Sequence, residues 1–451
     1  MLDKLENVLG PIAEKLNNNK VLIAIRDGFL ISTPLIIGAS VFLLIQNFPI
    51  NGYSEFMASI FGENWSTYLG AVSGATFSLL AMINVICIGY VYARELGSEG
   101  MVGGIVALVS FLILTPQSHP NFVNDAGKSF SGFAYSNLGS SGLFLGMICA
   151  IVSVLIFNKI EKKGWVIKMP AGVPPMVAMS FSALIPAFFS MTFFFLLRIG
   201  VSLTSYNFAH DMIMEVLQAP LMGLGRLPIF PVLYQFFSTL FWFFGINGPA
   251  VTNTVFSPIT TVLTQENLSV FLEFGMKADL PNIYTASFSD FFGNYGGGGS
   301  TLSLVICMLF FAKSQRLKQL GRLSIVPGIF GVNEMVIFGL PVVLNPIILV
   351  PFILVPVMNI SLGYIATAIG LIPRTFGISI PWTMPIFFSG WLATGSFKAA
   401  FFQIFLLILG ILVYYPFFKV LDKQYLEEET KGLESETDEL DDISLSDISF
   451  D

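Results

Sequence analysis

Charge is what this chain has least of. Only 11% of its 451 residues are Asp, Glu, Lys or Arg, against 54% hydrophobic, and the mean hydropathy is +0.77. A soluble domain carries about a quarter of its residues charged, so the soluble classes are excluded and a polytopic membrane protein of about nine to eleven spans is implied. Cysteine is scarce too: Cys87, Cys149 and Cys307 each lie in an apolar run without CxxC spacing, which excludes a disulfide framework and a thiolate metal site. The two histidines, His119 and His210, fall in segments read as surface, so neither is a buried acid or base. No nucleophile, base and orienter arrangement emerges, and no catalytic residue, cofactor or metal is assigned. The net charge of -7 gives no reason to expect nucleic acid. The N-terminus, MLDKLENVLGPIAEKLNNN, is charged through its first turns and reads as a surface amphipathic helix rather than a signal peptide.

Runs long enough to span lie near 28–48, 70–92, 101–115, 139–158, 175–197, 228–245, 301–313, 343–370 and 399–418. Positive charge gathers at Arg94, at Lys159, Lys162, Lys163 and Lys168, at Lys313, Arg316, Lys318 and Arg322, and at Lys419 and Lys423, which assigns these loops and both termini to the cytoplasm. Asn51 to Tyr68 and Gln117 to Ser136 carry almost none and are expected to face outward. Between Tyr206 and Gly225, Asp211 and Glu215 interrupt the apolar pattern, as in a helix lying along the membrane surface. Residues 1–200 therefore read as an N-terminal membrane domain, 201–226 as an amphipathic linker, 227–426 as a second domain and 427–451 as an acidic tail too poor in apolar surface to pack, expected to be disordered.

The second half is repeatedly broken: by Gly245, Gly248 and Pro249, by Gly293 and Gly296 to Gly299, by Pro327, Gly328 and Gly331, and by Pro373, Gly377, Pro381 and Pro385. Irregular backbone at membrane depth survives only where protein or a watery cavity satisfies it, and broken helices of this kind build the midplane sites of transporters. Within VPGIFGVNEMVIFGLPVVLNP stands one carboxylate, Glu334. An acidic group at the centre of a span costs roughly 2.5 to 3.5 kcal/mol on insertion scales, so its presence points to function; capping a half-helix is its structural alternative. With Asn333 it offers an ionic acceptor beside an amide, a pair suited to sugar hydroxyls. YGGGGST, Tyr295 to Thr301, brings bare backbone to whatever it faces and lacks the lysine of a nucleotide phosphate loop; Gly297, Gly298 and Ser300 are its candidate contacts. Trp382, between two prolines, is a flat surface for an apolar sugar face or an interfacial anchor. Phe241, Trp242, Phe243 and Phe244 either line the same cavity or face lipid.

Several motifs in order carry a family resemblance: AIRDGFLISTPLIIGAS at 24–40, KMPAGVPPMVAMSFSALIP at 168–186, AKSQRLKQLGRLSIVPGIFGVNEMVIFGLPVVLNP at 312–346 and YYPFFKVLDKQYLEEE at 414–429. Nearly the whole chain short of the acidic tail resembles the membrane IIC component of a bacterial phosphoenolpyruvate-dependent sugar phosphotransferase system, in the lactose, cellobiose and diacetylchitobiose family. The resemblance implies an all-α multi-pass protein of about ten transmembrane helices with two re-entrant hairpins and surface amphipathic helices, in the bacterial cell membrane. It implies a homodimer joined through the N-terminal half, and a C-terminal half that carries one β-linked disaccharide by an elevator-like movement. A separate phosphorylated IIB protein, itself charged by IIA, would phosphorylate the sugar at C6. Glu334 matches the family's sugar-binding glutamate, and Trp382 falls where an aromatic packs on the sugar. Two positions depart from the pattern: Asn247 stands in WFFGINGPAVTN where the family has histidine, and Met335 follows Glu334 where proline is usual. Asn replaces a neutral histidine as a hydrogen-bonding group but does not titrate near neutral pH. An uncoupled or cation-coupled carrier on the same scaffold, or a sugar sensor, is the alternative.

Overall fold

The computed structural model describes Lys15 and residues 18–48, 50, 52–123, 129–170, 172–243, 247–340 and 346–441. Residues 1–14, expected to begin a surface helix, Phe244, Gly245 and the last ten residues of the tail lie outside the described residues. The chain is helical, with one addition that the all-α expectation lacks: a short antiparallel ribbon, β1 (Ser118–Val123) and β2 (Ser129–Ser131), pairing Ser118 with Ser131 in the loop expected to face outward.

In the first half, α1 (Lys20–Gln46), α2 (Tyr53–Phe61), α3 (Trp65–Thr76), α4 (Leu80–Leu96) and α5 (Gly100–Leu114) precede the ribbon, and α6 (Tyr135–Leu138), α7 (Leu143–Lys162) and α8 (Pro175–Ser202) follow it. Glycines let these helices meet. A Cβ on Gly103 would sit 2.3 Å from Cβ of Ala93, and one on Gly89 would sit 2.6 Å from Cβ of Ala107, the small-residue contact by which helices associate where lipid offers no hydrophobic driving force. Gly103→Val is therefore expected to cost about 3 kcal/mol through overpacking; a detergent-solubilised variant that melts with the parent would contradict it.

His210 corrects an expectation. It is buried, with Nε2 3.1 Å from Oγ1 of Thr115 and its ring edge-on to Phe111. Arg198 donates to the carbonyls of Ile113 and Thr115, at the carbonyl end of α5, where backbone acceptors have no helical partner, and His210 meets the Thr115 hydroxyl beside them. The linker containing His210 is α9 (Ala209–Ile213), a π-helical turn (Met214–Gln218) and α10 (Ala219–Gly225). It bends by 75° into the next helix.

The second half comprises α11 (Ile229–Phe243), α12 (Gly248–Phe274), α13 (Ala286–Gly293), α14 (Leu302–Phe311), α15 (Gln315–Ile329), α16 (Glu334–Gly339), α17 (Pro346–Ala368), α18 (Phe388–Thr394) and α19 (Phe397–Asp441). Among the described residues, six helical segments are long and apolar enough to cross a bilayer, or seven if the bent 209–242 pair is one span. The other apolar stretches counted from sequence are short, Gly100–Leu114 and Leu302–Phe311. α19 continues through Asp441, into the acidic segment that begins at residue 427. Two carboxylates of α19 reach the start of α15. Asp422 accepts from the backbone N–H of Lys313 and Ser314 at 3.0 Å, and Glu429 accepts from Gln315 at 3.1 Å and Arg316 at 2.9 Å, while the Arg316 guanidinium lies 4.5 Å from the Tyr425 ring centre. Four orphan donors at the start of α15 are thus satisfied by the far end of α19.

Candidate functional site

Three irregular segments of the second half come together. The first, 294–301, runs between α13 and α14, with positive φ at Gly296 (74°), Gly297 (93°) and Gly299 (80°), which only glycine adopts without strain. Five of its carbonyls and that of the preceding Gly293 are spoken for: Gly293 by the Ser300 hydroxyl at 2.7 Å, Tyr295 by the Leu302 N–H at 3.0 Å, Gly296 by the Thr301 hydroxyl at 2.7 Å, Gly297 by the Ser300 N–H at 3.1 Å, Gly298 by Nδ2 of Asn333 at 2.8 Å and Gly299 by the Tyr414 hydroxyl at 2.6 Å. Gln235 and Asn294 face each other as a reciprocal amide pair, Nε2 to Oδ1 at 2.7 Å, and fix the loop from the α11 side. Bonding of this kind is what irregular backbone in a low-dielectric setting requires.

The second segment, 330–333, turns α15 into α16. The N–H groups of Phe330 and Val332 bond to the Pro327 carbonyl at 3.0 Å and that of Gly331 to Gly328 at 3.1 Å, with Gly331 left-handed (φ 83°) as in a helix C-terminal motif. The third is the irregular run 373–387, which carries Trp382 in a turn closed by the Met384 N–H on the Pro381 carbonyl. These segments touch through glycine. A Cβ on Gly297 would meet Cγ of Asn333 at 2.6 Å and the Gly331 carbonyl at 2.8 Å, one on Gly331 would meet the Trp382 ring at 3.3 Å, and one on Gly298 would meet the Trp242 indole at 3.0 Å.

The structure therefore gathers Gly297, Gly298, Asn333 and Trp382 into one cluster, with Glu334 next in sequence to Asn333 as the first residue of α16. Glu334 is exposed and has no hydrogen-bond or ion-pair partner among the described residues. Trp382 is 58% exposed, a free indole face beside it. Asn333 itself is buried, its amide spent on Gly298, so it holds the two loops together.

Two expected contacts lie elsewhere. Ser300 is fully buried behind the loop, its hydroxyl bonded to Gly293 and accepting from Tyr295 N–H at 3.3 Å and Asn359 Nδ2 at 3.2 Å; it shapes the loop and presents nothing to a ligand. Asn247 caps α12, its Oδ1 accepting from Ala250 N–H at 3.1 Å, and lines a separate cavity facing Arg26 and Asp27 of α1. Trp242, a residue that the sequence offers equally to lipid, packs on Gly298. Gln235, Asn294, Asn359 and Tyr414, which brace the glycine loop, carry no sequence signal of that role, because isolated polar residues in apolar runs do not announce their partners.

A family description, "Phosphotransferase system, EIIC", matches residues 26–356. The chain belongs to the EIIC family of the phosphotransferase system. It is 39% identical over 97% of its length to the oligo-beta-mannoside-specific EIIC component of Bacillus subtilis (strain 168), covering 98% of that protein. With the cellobiose-specific EIIC component of Geobacillus stearothermophilus it shares 40% identity over 94% of its length and 95% of the relative's. The crystal structure of ChbC, the IIC component from the N,N'-diacetylchitobiose-specific phosphotransferase system, superposes with a TM-score of 0.90 at 40% identity, over 94% of this chain and 99% of that one. This EIIC protein is accordingly a multi-pass membrane permease component.

Proposed function

We propose that this EIIC protein binds one β-linked disaccharide at Glu334 and presents its C6 hydroxyl to a separate phosphorylated IIB protein. The observation that carries the reading is Glu334 itself, an exposed carboxylate without a partner among the described residues, beside loops whose carbonyls at Gly298 and Gly299 are bonded to Asn333 and Tyr414. Such a carboxylate has its full acceptor capacity to offer a hydroxyl, and Trp382 offers the apolar counterpart for a sugar ring. The relatives named for oligo-beta-mannoside, cellobiose and diacetylchitobiose supply the substrate class.

Residues 227–426 act as the transport domain, moving as an elevator against residues 1–200, through which two copies pair, with 201–226 as the connecting linker and both termini in the cytoplasm. Release of a charged sugar phosphate makes return through an apolar path unfavourable, so trapping needs no ion gradient. The reading is tested with purified protein and a panel of cellobiose, lactose, gentiobiose and diacetylchitobiose. At least one is expected to bind, and phosphorylated product is expected in vesicles only when phospho-IIB is supplied. Accumulation of unmodified sugar driven by an ion gradient would show an uncoupled carrier instead.

Asn247 caps α12 and lines the cavity beside α1, so a contribution to sugar binding is tested apart from the cap. Asn247→Ala is expected to weaken binding several-fold and also to cost about 1 kcal/mol through the lost helix cap, whereas Asn247→Ser keeps the cap and should lose affinity alone. If affinity is unchanged in both, position 247 does not face the sugar.

A further inference from the structure

The second half carries a charged feature that the sugar site does not use. Lys313, between α14 and α15, and Lys419 and Lys423 of α19 line one surface cavity of about 480 Å³ together with Val420, Asp422 and Leu426. The carboxylate among them is already occupied: Asp422 is buried and accepts from the backbone N–H groups of Lys313 and Ser314 at 3.0 Å. The ammonium of Lys313 has no partner among the described residues. Lys423 lies 3.6 Å from Glu427 in an exposed i,i+4 pair, which contributes little in water, and Lys419 stands 5.3 Å from the Tyr415 ring centre. Three ammonium groups thus share a cavity whose one acid is bonded elsewhere, and an anion is their complement.

The height of this cavity in the bilayer follows from the helix that carries it. On α19, Phe397, Phe401, Phe405, Ile408 and Leu412 are exposed, and their spacing of three or four residues continues through the exposed Pro416 to Lys419 and Lys423. One face of the helix therefore passes from apolar to basic. From Phe397 to Pro416 it rises about 29 Å, close to the thickness of the hydrocarbon core, so the lysines begin where the headgroups do. α14 runs parallel beside it, with the Ser303 hydroxyl on the Leu407 carbonyl and the Cys307 thiol on that of Ile411. It repeats the pattern: Phe310 and Phe311 are exposed just before Lys313. The exposed acids of α19 start at Glu427, about 12 Å beyond Lys419.

We propose that this cavity binds an anionic phospholipid, whose phosphate accepts from Lys313, Lys419 and Lys423 while its acyl chains lie along the apolar face that ends at Pro416. Many anions would satisfy the ammonium groups. A lipid is the occupant because the basic cluster and the exposed apolar stripe form one continuous surface, and acyl chains cover the part of it that a soluble phosphate leaves bare. All three lysines belong to residues 227–426, so a movement of that domain carries the site intact. The site is independent of where the sugar binds.

The test reads the three amines directly. Full-length protein is placed in nanodiscs of phosphatidylcholine, or of an equal mixture with phosphatidylglycerol, and acetylated with a water-soluble succinimidyl ester. Mass spectrometry follows the rate at each lysine, with Lys159, Lys162 and Lys163 at the end of α7 as an equally basic control. Phosphatidylglycerol is expected to slow acetylation of Lys313, Lys419 and Lys423 at least fivefold, and that of the control lysines less than twofold. In Lys419→Gln/Lys423→Gln the protection of Lys313 should disappear, while the Asp422 bonds, made to backbone N–H groups, hold the fold. Lys419→Gln alone serves if the double variant does not fold. Equal slowing at both clusters would show a general surface potential and overturns the site. So does the absence of slowing, or protection of Lys313 that persists in the variant. Equal protection by glycerol phosphate in pure phosphatidylcholine would make the ligand a soluble anion, and protection by phosphorylated IIB alone would make the cavity a docking face for that protein; either result overturns the lipid.

Discussion

Glu334→Gln is expected to weaken disaccharide binding by about 10- to 150-fold, the loss of one charge-assisted hydrogen bond worth about 1.5 to 3 kcal/mol. The same change should leave the thermal midpoint unchanged or raise it. Both outcomes follow from one geometry: Glu334 is exposed and unpartnered, so the fold makes no use of its charge, and a neutral amide is cheaper at membrane depth. Dialysis against labelled disaccharide and a melting curve on the same preparation read the two effects independently. Normal binding by Glu334→Gln removes the site from this residue; a collapsed midpoint shows that the carboxylate was structural.

A single methyl group on the glycine loop should do comparable damage by a different route. In Gly299→Ala the new Cβ would lie 2.2 Å from Cδ2 and Cε2 of the fully buried Phe352, and Ala would have to adopt a φ of 80°. Left-handed backbone costs an L-residue roughly 1 to 2 kcal/mol and overpacking about 1 to 3 kcal/mol more. The loop is expected to shift, breaking the bonds from Tyr414 to Gly299 and from Asn333 to Gly298. Stability and sugar affinity then fall together, unlike in Glu334→Gln. Gly299→Ala combined with Phe352→Leu should recover part of both, since it removes the ring that obstructs the methyl. A Gly299→Ala protein that melts and binds like the parent would show that the loop tolerates what the geometry forbids.

How much of the site was legible depends on the kind of signal each residue leaves. Glu334 stands out because one carboxylate in an apolar run violates composition, and Trp382 because prolines frame it; the structure sets Trp382 against Gly331, three residues before Glu334, and leaves both side chains exposed. Ser300 looked equivalent to its glycine neighbours in sequence, yet its hydroxyl is consumed behind the loop. His210 sat in a segment of mixed polarity that reads as surface, and burial against Phe111 and Thr115 comes from a helix end 95 residues away.

Composition alone determined that the chain is a membrane protein, since backbone and side chains this apolar have nowhere else to be buried, and the Gly and Pro breaks determined which half would be irregular. Motif order indicated the family. Only the tertiary structure decided which polar groups are spent and which are free, because that depends on partners distant in sequence: Asn333 on Gly298, Tyr414 on Gly299, Glu429 on the start of α15. A hydrogen bond across 115 residues leaves no local pattern, and it is the satisfaction of those groups that leaves the carboxylate of Glu334 available to a ligand.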